Sequence, residues 1–443
     1  MRPARDKLDV LLAAALEAVE PGQAVRRALS VSGDGERLIV GGRELRLPDY
    51  RRLIVVGAGK ASAPMAAALE DVIGDALPIE GSVTVRYGHA APTRYVRIRE
   101  ASHPVPDAAG VSATRAIAEL LEGADERDLV ICAISGGGSA LLTLPADGIS
   151  LEDLQRTTDA LLRSGATINE INVVRKHLDR VKGGGLARLA APAQLVTLVL
   201  SDVVGNPLDA IASGPTVADT STFVDAAAVF DRYALWALVP TSVVERLRAG
   251  LAGRIADTPK AGDAVFERTV VAVVGSNLLA CEAAARAASS MGFQVLVLTT
   301  YVEGEAREVG RVLAGLLREI DASGHPLARP CCVIAGGETT VTVRGSGQGG
   351  RNQELALSAA FALRGVPDVL LASIGTDGSD GPTDAAGAFV DGTTLDRATA
   401  LGLDAARSLS ENDSYTFFDR LGDLIRTGPT NTNVNDVIFL LAL

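Results

Sequence analysis

A lysine sits in a glycine turn at Gly57-Ala58-Gly59-Lys60-Ala61-Ser62, between an apolar run and a helical pattern. Glycines let the backbone approach an anion, and a helix start offers free N–H groups. The chain has five lysines against thirty-seven arginines. Where arginine is the ordinary cation, a lysine in such a turn is a point charge suited to a phosphate. The turn resembles a dinucleotide fingerprint. However, Ser62 replaces its third glycine, and the next strand, 82–86, ends at Tyr87-Gly88-His89 without the acid a ribose needs. A plain strand-to-helix turn is the structural alternative. No Gly-x4-Gly-Lys-Ser/Thr run occurs, so this is not a P-loop chain.

Ser135-Gly136-Gly137-Gly138-Ser139 makes a second anion cradle at a helix start. The Gly-x-Ser-x-Gly elbow is absent, so hydrogen bonding to a small carboxylate fits better than a serine nucleophile. Asn172–Gly185 concentrates cations in an acidic protein. On a helix, Lys176 and Arg180 share one face and Arg175 and Lys182 another. They form either a solvated surface or a positive wall for polyphosphate or carboxylate. Asp202 ends a strand, where a carboxylate can hold Mg²⁺ or take a proton, or merely cap a turn.

The most specific stretch is Gly336-Gly337-Glu338-Thr339-Thr340 followed by Gly345–Gly350 and Arg351-Asn352-Gln353-Glu354. Four glycines in six residues lead into a polar quartet that opens an apolar helix, which a merely structural turn does not need. Asp377, Asp380 and Asp384 fall within eight residues after a strand. They lack the spacing and terminal Glu of a calcium loop, so a Mg²⁺–phosphate site or a substrate loop fits better. Thr427–Asp436, with Asn431 and Asn433, adds a dense set of small hydrogen-bonding side chains.

These turns need a scaffold that presents them together. Each follows a continuous apolar run: Leu53–Val56, Leu129–Ile134, Leu195–Leu200, Val270–Val274, Cys331–Ala335 and Leu370–Ile374. Apolar strands alternating with helical patterns predict a parallel sheet covered on both faces, hence α/β architecture. Ligands of such sheets bind beyond the carboxyl ends of the strands. Asp225–Asp263 is helical in pattern, and a fresh strand–helix–strand unit starts at Val270. We therefore expect a larger N-terminal domain over 1–262, a smaller C-terminal one over 263–443, and a cleft between them. No tandem repeat is visible.

Composition narrows the function. With 443 residues, 47% hydrophobic and 22% charged, the chain is globular. A net charge of −12 argues against nucleic acid as a partner. Cys132, Cys281, Cys331 and Cys332 lack a disulfide framework, which suits a reducing cytosol. Four scattered histidines make a zinc site a poor expectation. No apolar run reaches the roughly 18 residues of a membrane span. Leu8, Leu11, Leu12, Ala15, Leu16 and Val19 recur at helical spacing, so the N-terminal segment is an amphipathic helix and not a signal peptide.

Several anion cradles, a few well-placed cations and acids at strand ends are the parts of phosphoryl transfer, which depends on positioning and on stabilising spread negative charge. The chain resembles the class II glycerate 2-kinases, whose C-terminal part is called MOFRL. Besides Gly57–Ala61, Ser135–Ala140, Ser201-Asp202-Val203 and Gly336–Thr339, the resemblance is carried by His103-Pro104-Val105-Pro106-Asp107, Val174-Arg175-Lys176-His177-Leu178, Ser213-Gly214-Pro215-Thr216, Gly350–Glu354 and Thr376–Asp384. It covers nearly the whole chain. Two departures, Ser102 where the family usually has Gly and Asp179 where it often has Ser, touch substrate detail more than reaction class.

The resemblance implies a Rossmann-like αβα sandwich followed by a MOFRL-type α/β domain, ATP as donor, Mg²⁺, and D-glycerate phosphorylated at its 2-hydroxyl. The residues matching the family's catalytic pair are Lys60 and Arg351. The expected arrangement puts the substrate carboxylate on Ser135–Ser139 and Arg351, with Asp202 and Asp377 competing as metal ligand and base. The expected setting is cytoplasmic, as a monomer or homodimer. Two rival readings are an NAD(P)H-dependent hydroxypyruvate reductase, supported only by the Gly57–Ser62 turn, and a non-catalytic sugar-acid or nucleotide sensor.

Overall fold

The apolar runs become strands that are mostly buried along their length, and their burial explains their composition. The computed structural model describes residues 2–443, with side chains from residue 4. The chain forms two units, one of residues 21–201 and 206–274, the other of residues up to 20, 202–205 and 275–443.

In the first unit a small antiparallel meander, β1 (Leu29–Val31), β2 (Arg37–Val40) and β3 (Arg43–Arg46), precedes a six-stranded sheet. The sheet consists of β4 (Arg52–Ala58), β5 (Ile79–Arg86), β6 (Val96–Ala101), β7 (Asp128–Ile134), β8 (Gln194–Leu200) and β9 (Thr269–Gly275). Its order is β6-β5-β4-β7-β8-β9, with parallel pairing from β6 through β8. Helices 151–163, 168–178, 223–232 and 241–251 pack a separate apolar cluster around Leu161, Val174, Phe230 and Leu247. Burying each such side chain is worth about 1.5–3 kcal/mol.

In the second unit β10 (Gln294–Val302), β11 (Cys331–Gly337), β12 (Val369–Gly375), β13 (Gly387–Asp391), β14 (Leu424–Ile425) and β15 (Asp436–Ala442) are ordered β10-β11-β15-β12-β13-β14. Only β10 and β11 pair in parallel; the other pairings are antiparallel. The expected parallel sheet therefore holds for the first unit and not the second. Strands β11, β12 and β15 are buried at every residue. Full burial makes a strand uniformly apolar whatever its direction, so composition could not reveal the antiparallel insertion of β15.

Helices Ala306–Ser323 and Arg351–Leu363 cover this sheet. They approach closely because Gly310 meets the Leu355 carbonyl without a Cβ.

The domain limits also differ from expectation. Val270–Val274 does not open the C-terminal unit; it lies in the last strand of the first sheet. The amphipathic helix Arg2–Ala18 belongs to the C-terminal unit, where it packs on helix Asn277–Ser290 with Leu8, Leu11, Ala15 and Val19 buried. No helix among the described residues is long and apolar enough to cross a membrane.

Candidate active site

In the first sheet the chain runs outward from β4 through β5 and β6, then returns to the other side of β4 at β7. Ligands of open parallel sheets bind at such a reversal. The turns after β4 and β7 lie side by side and are clasped. Ser135 N donates to the Ala58 carbonyl at 3.2 Å and Lys60 N to the Gly136 carbonyl at 2.9 Å. Ala61 N donates to Ser135 Oγ at 3.0 Å, and Ser62 Oγ lies 3.1 Å from the same oxygen.

This corrects part of the expected anion cradle. The Lys60 and Ala61 amides already have acceptors, Ser135 is buried as a clasp, and Gly136 lends its carbonyl. Gly57 and Gly59 are explained by the same approach, since a Cβ would strike the Ala133 backbone or Ser135 Oγ. Ser135→Ala should cost about 1 kcal/mol of stability by urea denaturation, the worth of an ordinary hydrogen bond, while leaving kcat nearly unchanged. A loss of turnover by orders of magnitude would instead mark the hydroxyl as reactive.

The clasp leaves the Lys60 side chain half-buried, with no hydrogen bond or ion pair among the described residues. Burial first, then Lys60 and Arg86, push His103 down to about 4. Burial and then Arg86 also lower His89. The His103 ring lies over Gly137, whose positive φ of 84° and missing Cβ make room for it. Gly138 likewise has no room for a side chain beside Ala212.

Arg86, His89 and His103 were not among the expected site residues. Adjacency supplied the missing signal: β5 ends at Arg86 and β6 just before Ser102-His103, and the two strands are parallel neighbours.

A lowered imidazole pKa means that the unfolded chain takes up the proton first as pH falls. The neutral ring's contribution is therefore full above about 6.5 and lost as pH drops toward about 4. Comparing wild type with His103→Gln in urea at pH 7 and pH 5 should show the gap narrowing at the lower pH.

Helix Ile168–Leu178 begins with a capping box at Thr167 and Glu170 and buries Ile171, Val174 and Leu178. Its cations have different fates. Lys176 is 5% exposed and paired with Asp219 at 3.1 Å and Asp209 at 3.6 Å, so it is not available as a phosphate wall. Lys182 is buried and donates to the Ser139 and Leu142 carbonyls. Arg175 remains without a hydrogen bond or ion pair among the described residues, in a small cleft with Ser139. Ser139 Oγ lies 3.0 Å from Ser213 Oγ. Ala212 and Ser213 both hold left-handed backbone, φ 51° and 61°, a strain that clusters at functional sites.

In the second unit, strand register builds the site. Asp436 opens β15 opposite Gly337 of β11 and Gly375 of β12. This brings the turns after β11 and β12 to one sheet edge. Arg351, the first residue of its helix, grips Asp436 with both branches: Nε to Oδ2 at 2.6 Å and Nη2 to Oδ1 at 2.9 Å. Its Nη1 donates to Glu338 Oε1 at 2.7 Å. Burial alone would lower the Arg351 pKa; the bonds to Asp436 more than reverse that and hold it above its ordinary value. Burial pushes Asp436 up to about 6, against the pull of Arg351.

Arg351 and Glu338 line a pocket of about 1010 Å³ with Asp202, Asp377, Glu303, Glu354 and Asp380. Five expected residues, Asp202, Glu338, Arg351, Glu354 and Asp377, thus line one pocket. Thr339 Oγ1, in the same lining, is buried without a partner.

Three residues of the quartet, Glu354 of the pocket lining among them, are taken up by protein partners. Asn352 bonds Asp380 and Ser373, Gln353 bonds Thr383, and Glu354 takes Arg307 and Asn412. Asp380 caps the helix through the Asn352 and Gln353 amides, which an anion would otherwise use. The polar quartet therefore mainly fastens loops, with Arg351 left facing the pocket. Asn433 closes its own turn on the Asn435 amide, and Asn431 is exposed with left-handed φ of 60°. Asp436 itself was missed, because a strand's first residue acquires its partners only through register.

The chain is similar to known proteins along nearly its whole length. Residues 7–248 match the model of a domain of unknown function, DUF4147, and residues 331–436 match the MOFRL family. The chain is 43% identical to a glycerate 2-kinase of Pyrococcus horikoshii over 97% of its length and 96% of that protein. It is 47% identical to a putative hydroxypyruvate reductase of Agrobacterium vitis over 88% of its length and 87% of that protein. The crystal structure of a glycerate kinase from Thermotoga maritima superposes with a TM-score of 0.90 at 41% identity, covering 100% of both chains. The chain belongs to the class II glycerate 2-kinase, or MOFRL, family.

Proposed function

We propose that this enzyme transfers the γ-phosphoryl group of ATP to the 2-hydroxyl of D-glycerate. The observation that carries this is the 43% identity over 97% of the chain to a glycerate 2-kinase. Lys60 supplies a cation with no ion pair among the described residues, fit to offset charge on the moving phosphoryl group. Arg351 supplies a second cation, fixed in direction by Asp436 and Glu338. The pocket around Arg351 has the size of a nucleotide site.

Its carboxylates suit Mg²⁺, which is commonly held by one or two protein acids together with substrate phosphates. Asp202 and Asp377 would hold the ion, which when bound neutralises phosphate charge. Asp377 is oriented for this by Ser379, whose amide and hydroxyl both donate to its Oδ1.

Some relatives carry the reductase name. The clasped turn speaks against that chemistry here, since the Lys60 and Ala61 amides that a pyrophosphate would use already have acceptors. ADP release should depend on D-glycerate, while NADPH with hydroxypyruvate should show no change in absorbance. The opposite pair of results would overturn the proposal. The four cysteines are free and buried, which suits a reducing compartment, and we place the enzyme in the cytosol as a monomer or homodimer.

A further inference from the structure

We propose that Arg175, with Ser139 beside it, holds the carboxylate of the acceptor substrate. This rests on the kinase reading and deepens it.

Charge accounting favours the assignment. Arg351 is already paired with two carboxylates, Asp436 and Glu338, and faces the pocket assigned above to the nucleotide, so it is not the free partner of the acceptor's carboxylate. Lys176 is spent on Asp219 and Asp209. Lys182 is spent on backbone carbonyls and lies 3.6 Å from Asp179. Asp179 accepts from the Leu144 and Val181 amides, so its charge is further committed. With Lys182 and Asp179 cancelling, Arg175 leaves the cleft one positive charge in excess, which matches a monocarboxylate.

Size and lining agree. The cleft is bounded by Pro104, Pro106, Ala140 and Leu154 and encloses about 30 Å³. That is roughly the room of two waters, on the scale of a carboxylate group. The apolar walls strengthen a charged hydrogen bond by lowering the local dielectric. A guanidinium offers two parallel N–H groups to a carboxylate, a fit that an ammonium cannot copy. Ser139, whose hydroxyl reaches Ser213, adds a polar group at the rim.

The test compares D-glycerate with its uncharged amide, glyceramide, as acceptors in wild type, Arg175→Ala and Arg175→Lys. Loss of the bidentate pair should raise KM for glycerate about 100-fold with KM for ATP unchanged, and Arg175→Lys should fall between. The preference for glycerate over glyceramide should collapse in Arg175→Ala by at least tenfold, a readout that a packing defect would not move. Added guanidinium should restore part of the loss. An unchanged acceptor preference in a folded Arg175→Ala enzyme would overturn the assignment. A wild-type enzyme inactive with ATP and glycerate would instead remove the kinase reading beneath it.

Discussion

Replacing Lys60 by alanine is expected to lower kcat about 10³-fold, the usual scale for removing one preorganised electrostatic group from a transition state. The fold should be untouched. The ammonium makes no hydrogen bond or ion pair among the described residues, and the turn is fixed by its backbone and by Ser135. Thermal midpoints of variant and wild type should therefore agree. Lys60→Arg should rescue little, because a planar guanidinium does not replace a compact ammonium in a glycine turn. Removing the positive neighbour should also let His103 titrate higher than about 4, since Lys60 is the second cause of its depression after burial. Wild-type turnover in Lys60→Ala would withdraw the catalytic role.

Arg351→Ala should behave differently, losing stability as well as activity. Asp436 is 3% exposed and would be left as a buried carboxylate without its bidentate partner. Breaking such a pair from one side costs about 3 kcal/mol. Truncating both residues should recover much of the stability, because no orphaned charge remains, but none of the turnover. Chemical denaturation and steady-state kinetics on the two single variants and the double variant separate these effects. Additive stability losses would show that the pair does not act as a unit.

Much of this molecule could be read from its sequence, and the reasons differ by residue. Strands β4, β7 and β8 were legible because burial makes them continuously apolar, and a polar turn follows each carboxyl end; half-buried β6, with its alternating arginines, was not. Lys60 was singled out by its rarity and its glycine neighbours, and its side chain has no hydrogen bond or ion pair among the described residues. Asp202, Glu338, Arg351 and Asp377 were legible individually as polar residues in turns, and the structure places them in one pocket.

What stayed hidden depends on pairing. Direction in the second sheet is invisible to composition, so the central antiparallel strand β15, and with it Asp436, could not be placed. Whether a cation is free or spent is also a tertiary fact. Lys176 and Arg175 are adjacent on one helix, yet one is locked to Asp219 and the other is not. The glycines of the first turn suggested an open anion cradle, whereas close packing against Ala133 and Ser135 is what requires them.

The most direct test is ³¹P NMR of the products from ATP, Mg²⁺ and D-glycerate. We predict a single new phosphomonoester, 2-phosphoglycerate, appearing in step with ADP and about 10³-fold more slowly in Lys60→Ala. Formation of 3-phosphoglycerate, or ADP without any new ester, would contradict the assignment of this chain as a glycerate 2-kinase.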